Sequence, residues 1–282
     1  MSNNSVLNRV FSKATLTDLI NNNENIAFST TIERYIDDSN VRNNKEVIKE
    51  IYKVLLRKYR NEYVYKNTLL NKLLLGRHSI RTTTALTEVT IGKSKADFIL
   101  INGSATVYEI KTDLDSLVRL KGQLENYYKA FSKVYVITGE LHYEKVNELL
   151  KDSNVGICLL TNRNTISEKK KAVVDYGKLD YETMFRILRK DEYEEVIFNK
   201  YKELPKTSQV KYYRECFSWF KNIEIKEAYE RMLKVLKRRN KVKIDDFKDR
   251  VPKELSSLVY FSSFKKEDYT VLEEYLEKDY RR

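Results

Sequence analysis

Two opposite charges interrupt a largely apolar run at residues 105–113, which read ATVYEIKTD. Glu109 and Lys111 are two positions apart, so they share one face of any strand that this run forms. A charged side chain within a buried strand needs a polar partner or an ion. The pair therefore marks a candidate site, whose chemistry depends on the other side chains that reach the same face.

A third charge, Asp97, lies in the preceding β-rich run, ADFILI. If residues 102–104 form a three-residue hairpin loop, Asp97 stands directly opposite Glu109. A two-residue Asn-Gly loop would place the two carboxylates on opposite faces of the sheet, because a one-residue slip turns every side chain over. Both loops remain open on the sequence alone, and the chemistry of a paired site favours the first.

A two-residue loop at 92–93 would add Glu88 opposite Asp97. Glu88, Asp97 and Glu109 would then form a row across three neighbouring strands. Carboxylates opposed in a sheet repel one another, and Lys111 supplies one compensating charge. Mg²⁺ or Mn²⁺ bound to the carboxylate oxygens would supply the rest. The alternative is an ordinary exposed pair between Glu88 and Lys111, with Asp97 beginning a strand at the surface.

The elements that must position these residues follow from hydrophobic periodicity. Apolar residues recur at helical spacing in 47–55 and 69–74, and short β-rich runs follow from residue 84. A helix is predicted after Asp113 or Asp115, as its N-cap, and a strand at 133–138. The order over 64–138 is α-β-β-β-α-β. We predict a helical N-terminal extension at 1–63, an α/β core at 64–178 and a helical C-terminal domain at 179–282.

Composition limits the partners and the metal ligands. The net charge is +12, which favours an anionic partner such as nucleic acid, although a Lys-rich surface for solubility is the alternative. No apolar run approaches the ~20 residues of a membrane span, and we identify no secretory signal. Cys158 and Cys216 lie in apolar runs and are predicted to be buried reduced thiols, which fits a cytoplasmic protein. Without a zinc-spaced Cys/His cluster, any metal would be held by carboxylates.

The spacing of these residues resembles a known signature. Asp97, eleven further residues and then Glu109-Ile110-Lys111 resemble the PD-(D/E)XK motif of the restriction-endonuclease-like nuclease superfamily. Ala96 stands where that motif often has proline. The helix that follows carries Gln123 and Tyr127, similar to the Q-x-x-x-Y motif of RecB-type nucleases. The wider stretch YEIKTDLDSLVRLKGQLENYYKAFSKVYVIT resembles a small family of bacterial and phage proteins with this core.

The resemblance implies an α/β fold with a restriction-endonuclease-like αβββαβ core, a mixed sheet flanked by helices, between the helical N-terminal and C-terminal extensions. It implies a Mg²⁺- or Mn²⁺-dependent phosphodiester hydrolase. The implied metal ligands are Glu88, Asp97, Glu109 and the carbonyl of Ile110. The implied catalytic residues are Asp97, Glu109, Lys111, Gln123 and Tyr127.

Basic side chains outside this set are candidates for binding a phosphate backbone. They are Arg119, Lys169, Lys170, Lys171, Lys237, Arg238 and Arg239. The alternatives are a loop tip for Lys169–Lys171 and a solvated helix end for the last three. We expect DNA as the partner, with RNA, a homodimer or a protein partner left open, and no membrane. The alternative function is a catalytically silent nuclease fold that binds nucleic acid or a protein.

Overall fold

The computed structural model describes residues 3–22, 24–37, 43–239, 242 and 244–280. The chain divides into two compact units, Met1–Arg81 with Lys241–Arg282, and Thr82–Asn240. The boundaries of these units differ from the predicted domain boundaries, which fall between residues 63 and 64 and between residues 178 and 179. Helices between residues 181 and 236 share one hydrophobic core with the sheet, through buried residues such as Met184 and Leu236. The predicted C-terminal helical domain therefore contributes most of its length to the same unit as the sheet.

The first unit is helical. Its helices are α1 (Asn3–Val10), α2 (Lys13–Asn22), α3 (Ile26–Tyr35), α4 (Asn44–Lys58) and α5 (Glu62–Leu69), which continues into a π-helical segment, Leu70–Leu75. In α4, Val47, Ile51 and Leu55 recur at helical spacing and are fully buried. The Asn43 side chain caps this helix by accepting the amide of Glu46.

A six-stranded mixed sheet forms the centre of the second unit. The strands are β1 (Thr84–Leu86), β2 (Val89–Ile91), β3 (Ser94–Ala96), β4 (Phe98–Asn102), β5 (Ser104–Lys111), β6 (Val134–Thr138), β7 (Gly156–Leu160) and β8 (Ile166–Lys170). The order in the sheet is β1-β4-β5-β6-β7-β8, while β2 and β3 pair only with each other. The pairs β5–β6 and β6–β7 are parallel, and the other neighbours are antiparallel.

Helices join the parallel strands and then complete the unit. They are α6 (Leu120–Tyr128), α7 (Glu140–Leu150), α8 (Tyr181–Ile187), α9 (Lys190–Tyr201), α10 (Gln209–Lys221) and α11 (Ile225–Leu236). The chain then returns to the first unit with α12 (Ile244–Arg250), α13 (Ser256–Tyr260) and α14 (Lys266–Glu277). The coarse prediction of an α/β protein with a mixed sheet flanked by helices is confirmed. Among the described residues, no helix combines the length and the apolar character needed to cross a membrane.

Both hairpin registers are those predicted. In β4–β5, Ile101 pairs with Ala105 and Phe98 with Tyr108, so the loop is not the two-residue alternative. In β2–β3, Ile91 pairs with Ser94. Gly92 and Gly103 take the positive φ angles of 59° and 69° at these two turns, where glycine has no side chain to strain the backbone.

The predicted row of acids does not lie on three regular neighbouring strands. Glu88 lies outside the strands with a φ of 57°, and Asp97 occupies a bend between β3 and β4. The pairs Leu86–Ile99 and Val89–Ala96, on either side of Glu88 and Asp97, keep the same register. A single long hairpin is therefore interrupted where Glu88 and Asp97 face each other, because a non-glycine residue at positive φ breaks the strand geometry.

The helix predicted to begin at Asp113 or Asp115 begins only at Leu120. The Asp115 side chain instead accepts hydrogen bonds from the amide and the hydroxyl of Thr112, at 2.8 and 2.7 Å. An aspartate that binds the backbone locally forms a turn in place of a helix cap. The segment 112–119 is thus a loop between β5 and α6.

Candidate active site

Glu109 is a buried carboxylate in the middle of the sheet, with 1% of its surface exposed. Its Oε1 lies 2.8 Å from the Lys111 ammonium nitrogen. Its Oε2 accepts a hydrogen bond of 2.5 Å from the Tyr127 hydroxyl. Burial of this charge is thus offset by one cation and one hydrogen-bond donor from the chain itself.

Lys111 is also buried, at 6% exposure. Its ammonium donates a second hydrogen bond, of 2.9 Å, to the amide oxygen of Gln123. Gln123 and Tyr127 are four residues apart on α6 and so share one helix face. This face lies over Glu109 and Lys111, and Leu120 and Leu124 of the same helix are buried in the core.

Tyr127 is fully buried, and its hydroxyl also lies 2.8 Å from the carbonyl oxygen of Lys95. Burial raises the pKa of the Tyr127 phenol well above its ordinary value, and the charge of Glu109 raises the same pKa further. The phenol therefore stays protonated throughout the working range of most proteins and can serve as a permanent donor to Glu109.

Asp97 is half-buried and is tied to the strand that carries Glu109. Its Oδ2 accepts the backbone amide of Ile110 at 2.8 Å, and its carbonyl accepts the Thr87 hydroxyl at 2.7 Å. These bonds hold the bend at Asp97 against β5. The nearest carboxylate oxygens of Asp97 and Glu88 lie within 4.8 Å of each other, while Glu88 is exposed and pairs with Lys95 at 3.2 Å.

The donor set suits a hard divalent cation. Asp97 and Glu109 offer carboxylate oxygens, which Mg²⁺ and Mn²⁺ prefer, and no histidine or cysteine ligand is involved. Glu88 could add a third carboxylate from the facing position in the hairpin. The carbonyl of Ile110 stays a predicted ligand, while the Ile110 amide anchors the Asp97 carboxylate. Carboxylates are the residue types that the predicted Mg²⁺ or Mn²⁺ would require, and the charge balance of the site depends on Lys111.

The basic residues predicted to bind nucleic acid divide into exposed and internally bound groups. Arg119 is exposed directly before α6, and Lys169 and Lys171 are exposed at the edge strand β8. The Lys170 ammonium instead donates to the carbonyls of Lys151 at 3.0 Å and Ser153 at 2.6 Å, and to that of Leu150. Lys170 thus binds the carbonyl end of α7, and desolvation lowers its pKa.

Arg239 is bound within the fold as well. Its guanidinium donates to both carboxylate oxygens of Glu192 at 2.6 Å and to the Ile187 carbonyl at 2.6 Å. Burial alone would raise the pKa of Glu192, but the hydrogen bonds and charge of Arg239 lower it. Arg238 pairs with Glu195, whereas Lys237 is half-buried. Arg239 is therefore not the solvated helix end of the alternative, and both Arg239 and Arg238 have carboxylate partners within the chain.

Two polar residues beside the site were not predicted from the sequence. Asn126 of α6 donates to the Ser94 hydroxyl at 2.9 Å and so links the helix to the β2–β3 hairpin. Thr138, at the end of β6, is paired with Lys111 across the sheet. Its hydroxyl is buried and has no hydrogen-bond partner within the described chain. Asn126 lies one residue from Tyr127, but no local pattern distinguishes it from an ordinary surface asparagine.

Comparison with known proteins places the chain in a family. The family model described as "Bacteriophage P4 protein cII" matches residues 55–258, which is well over half of the chain, so the chain belongs to this family. Protein cII of Enterobacteria phage P4 is 29% identical over 106 residues, which are 37% of this chain and 36% of that protein. The chain thus matches little more than a third of the length of this relative. No solved structure matches.

Proposed function

We propose that this member of the bacteriophage P4 protein cII family is a metal-dependent nuclease that hydrolyses phosphodiester bonds, with DNA as the expected substrate. The observation that carries the proposal is the set formed by the buried side chains of Glu109, Lys111 and Tyr127 and the half-buried side chain of Gln123. These side chains come from β5 and α6 and bind one another at 2.5 to 2.9 Å. The Asp97 carboxylate is linked to β5, because it accepts a hydrogen bond from the backbone amide of Ile110.

The topology supports the same proposal. The long interrupted hairpin, β5, the crossover helix α6 and the parallel strand β6 follow one another in the β-β-β-α-β order that the resemblance implies. A likeness of fold is an argument by analogy, since function resides in the site. The proposal of a restriction-endonuclease-like core therefore depends chiefly on the side chains that this order brings together.

The proposed chemistry assigns a role to each residue. Asp97 and Glu109 would hold Mg²⁺ or Mn²⁺, which when bound lowers the pKa of a water molecule and neutralises phosphate charge. Lys111 stabilises the negative charge that develops on the phosphate and orients the attacking water. Gln123 directs the Lys111 ammonium, and Tyr127 fixes the orientation of Glu109.

The test is a time course on supercoiled plasmid, linear duplex and single-stranded DNA with Mg²⁺, Mn²⁺ or EDTA. We expect Glu109→Ala and Lys111→Ala to reduce metal-dependent cleavage about 100-fold or more. Lys121→Ala is the matched control, because Lys121 is exposed on the same helix, α6. Equal cleavage by the wild type and Lys111→Ala would indicate a contaminating nuclease.

A second candidate is a silent nuclease fold that binds nucleic acid without cutting it. One observation favours it, because both oxygens of Glu109 already have partners within the chain. Tight, salt-sensitive DNA binding with no turnover in either metal would support this function over the first.

A role of the nuclease in conflict, in phage defence or in a mobile element, is part of the proposal. It predicts that expression is toxic to host cells and that Lys111→Ala removes the toxicity. Equal toxicity of the wild type and Lys111→Ala would argue against a role that depends on cleavage.

A further inference from the structure

The ion pair of Glu109 and Lys111 is deeply enclosed in the second unit. The exposed fractions of the two side chains are 1% and 7%. Buried pairs are retained at a desolvation cost that only good geometry offsets. Here the geometry is good, since the ammonium contacts both Glu109 Oε1 and Gln123 Oε1.

The two oxygens of Glu109 are not equally free to change partners. Oε2 is held by Tyr127, whose ring is fully buried and whose hydroxyl also contacts the Lys95 carbonyl. Among the described residues Oε1 is held only by Lys111, whose long side chain is flexible and has a second acceptor in Gln123. A metal cation can therefore bind Oε1 if the Lys111 ammonium gives up its contact with Glu109. The ammonium then retains its hydrogen bond to Gln123.

Lys111 and a divalent cation cannot share Oε1 at low cost. Both would lie within bonding distance of the same oxygen, and like charges at about 4 Å repel strongly wherever solvent is excluded. Lys111 must then leave Oε1 for the metal to bind there.

We infer that Lys111 occupies the cation position beside Glu109 in the metal-free protein and yields Glu109 Oε1 when a divalent cation binds, keeping its contact with Gln123. This inference rests on the proposed function. It makes Lys111 a competitor for the metal as well as a catalytic group, and it makes Gln123 the positioning residue that retains the displaced ammonium.

The experiment is calorimetric titration of the full chain with Mg²⁺ and with Mn²⁺, in the absence of DNA. We expect Lys111→Met, which removes the competing charge, to bind both metals about tenfold more tightly than the wild type. Lys111→Arg keeps a cation with a carboxylate-matching fork and should bind them about threefold or more weakly. Lys121→Met removes an exposed charge of α6 and should stay within about twofold of the wild type.

Equal or weaker metal binding by Lys111→Met would overturn the exchange, as would the absence of metal binding in every variant. If Lys111→Met does not fold, the comparison of Lys111→Arg with the wild type decides, and equal or tighter binding by the arginine variant overturns the inference.

The two proposals can fail separately. An inactive Lys111→Ala variant together with unchanged metal affinity in Lys111→Met would leave the nuclease standing without the exchange. Tighter binding by Lys111→Met in a protein that cuts no nucleic acid would leave the exchange standing without the nuclease.

Discussion

Tyr127 is the residue that links the sheet and the helix on either side of the candidate site. Its hydroxyl reaches Glu109 from α6, and its ring fills a position with no exposed surface. A buried carboxylate that loses a donor keeps its full desolvation cost. The neighbouring Tyr128 is also buried, but its hydroxyl has no hydrogen-bond partner within the described residues.

These two tyrosines therefore form a matched pair for mutation. We expect Tyr127→Phe to lower the free energy of unfolding by about 1 to 3 kcal/mol and to reduce metal-dependent cleavage about tenfold. Tyr128→Phe should change the free energy of unfolding by less than about 0.5 kcal/mol. Denaturant unfolding and initial cleavage rates measure both effects.

The effect of Tyr127→Phe should not diminish at alkaline pH. Burial raises the pKa of the Tyr127 phenol, so its hydrogen remains in place up to at least pH ~10, the ordinary value for tyrosine. A stability difference between wild type and variant that vanished near neutral pH would show that Tyr127 is not the donor to Glu109.

At the scale of elements, the start of α9 depends on one ion pair. Glu192 accepts the Arg189 amide at 2.8 Å as part of the helix cap, and it binds the Arg239 guanidinium through both oxygens. The exposed side-chain fractions of Arg239 and Glu192 are 14% and 9%. Glu192 thus connects the first turn of α9 to the chain just after α11.

We predict that Glu192→Gln lowers the free energy of unfolding by about 2 kcal/mol at neutral pH. Because the pKa of Glu192 is lowered in the folded protein, its contribution is present above the unfolded value of about 4.3 and is lost as the pH falls through the folded value. The difference between wild type and variant, measured by denaturant unfolding, should therefore shrink in acid.

Glu195→Gln is the control for this prediction. Glu195 pairs with Arg238, and the exposed side-chain fractions are 40% and 56%, so solvent screens the pair and its loss should cost less than about 0.5 kcal/mol. Equal losses of stability in the two variants would contradict the structural role assigned to Arg239.

At the scale of the whole molecule, the charge of +12 predicts salt-dependent binding to nucleic acid, but only cations that are not bound internally can contribute. Lys169 of the edge strand β8 and Lys171, which directly follows this strand, are exposed. Lys170 between them binds three carbonyls at the end of α7. Of these three consecutive lysines, we therefore expect Lys169 and Lys171 to bind nucleic acid and Lys170 to stabilise the fold.

We predict that Lys169→Gln with Lys171→Gln weakens DNA binding in EDTA and reduces the slope of log K against log salt by about 2. Lys170→Gln should leave that slope unchanged and lower the thermal midpoint instead, because it removes the ammonium that binds the three carbonyls at the end of α7. An unchanged slope in the double variant would show that DNA does not pass this edge of the sheet.

The sequence by itself determined the features that repeat over short distances. The alternation of a strand places Glu109 and Lys111 on one face, and helical spacing does the same for Gln123 and Tyr127. The β2–β3 register followed from its turn residues, whereas the β4–β5 register was favoured by the chemistry of a paired site, and both are confirmed. These relations involve neighbours in the chain, so local geometry suffices to predict them.

The tertiary structure alone decided which faces meet. It placed α6 over β5, so that partners 12 and 18 residues apart form one hydrogen-bonded set. It also interrupted the long hairpin at Glu88, joined helices α8 to α11 to the sheet core, and bound Lys170 and Arg239 internally. Such contacts depend on the burial and packing of distant segments, and no pattern within a short window of sequence records them.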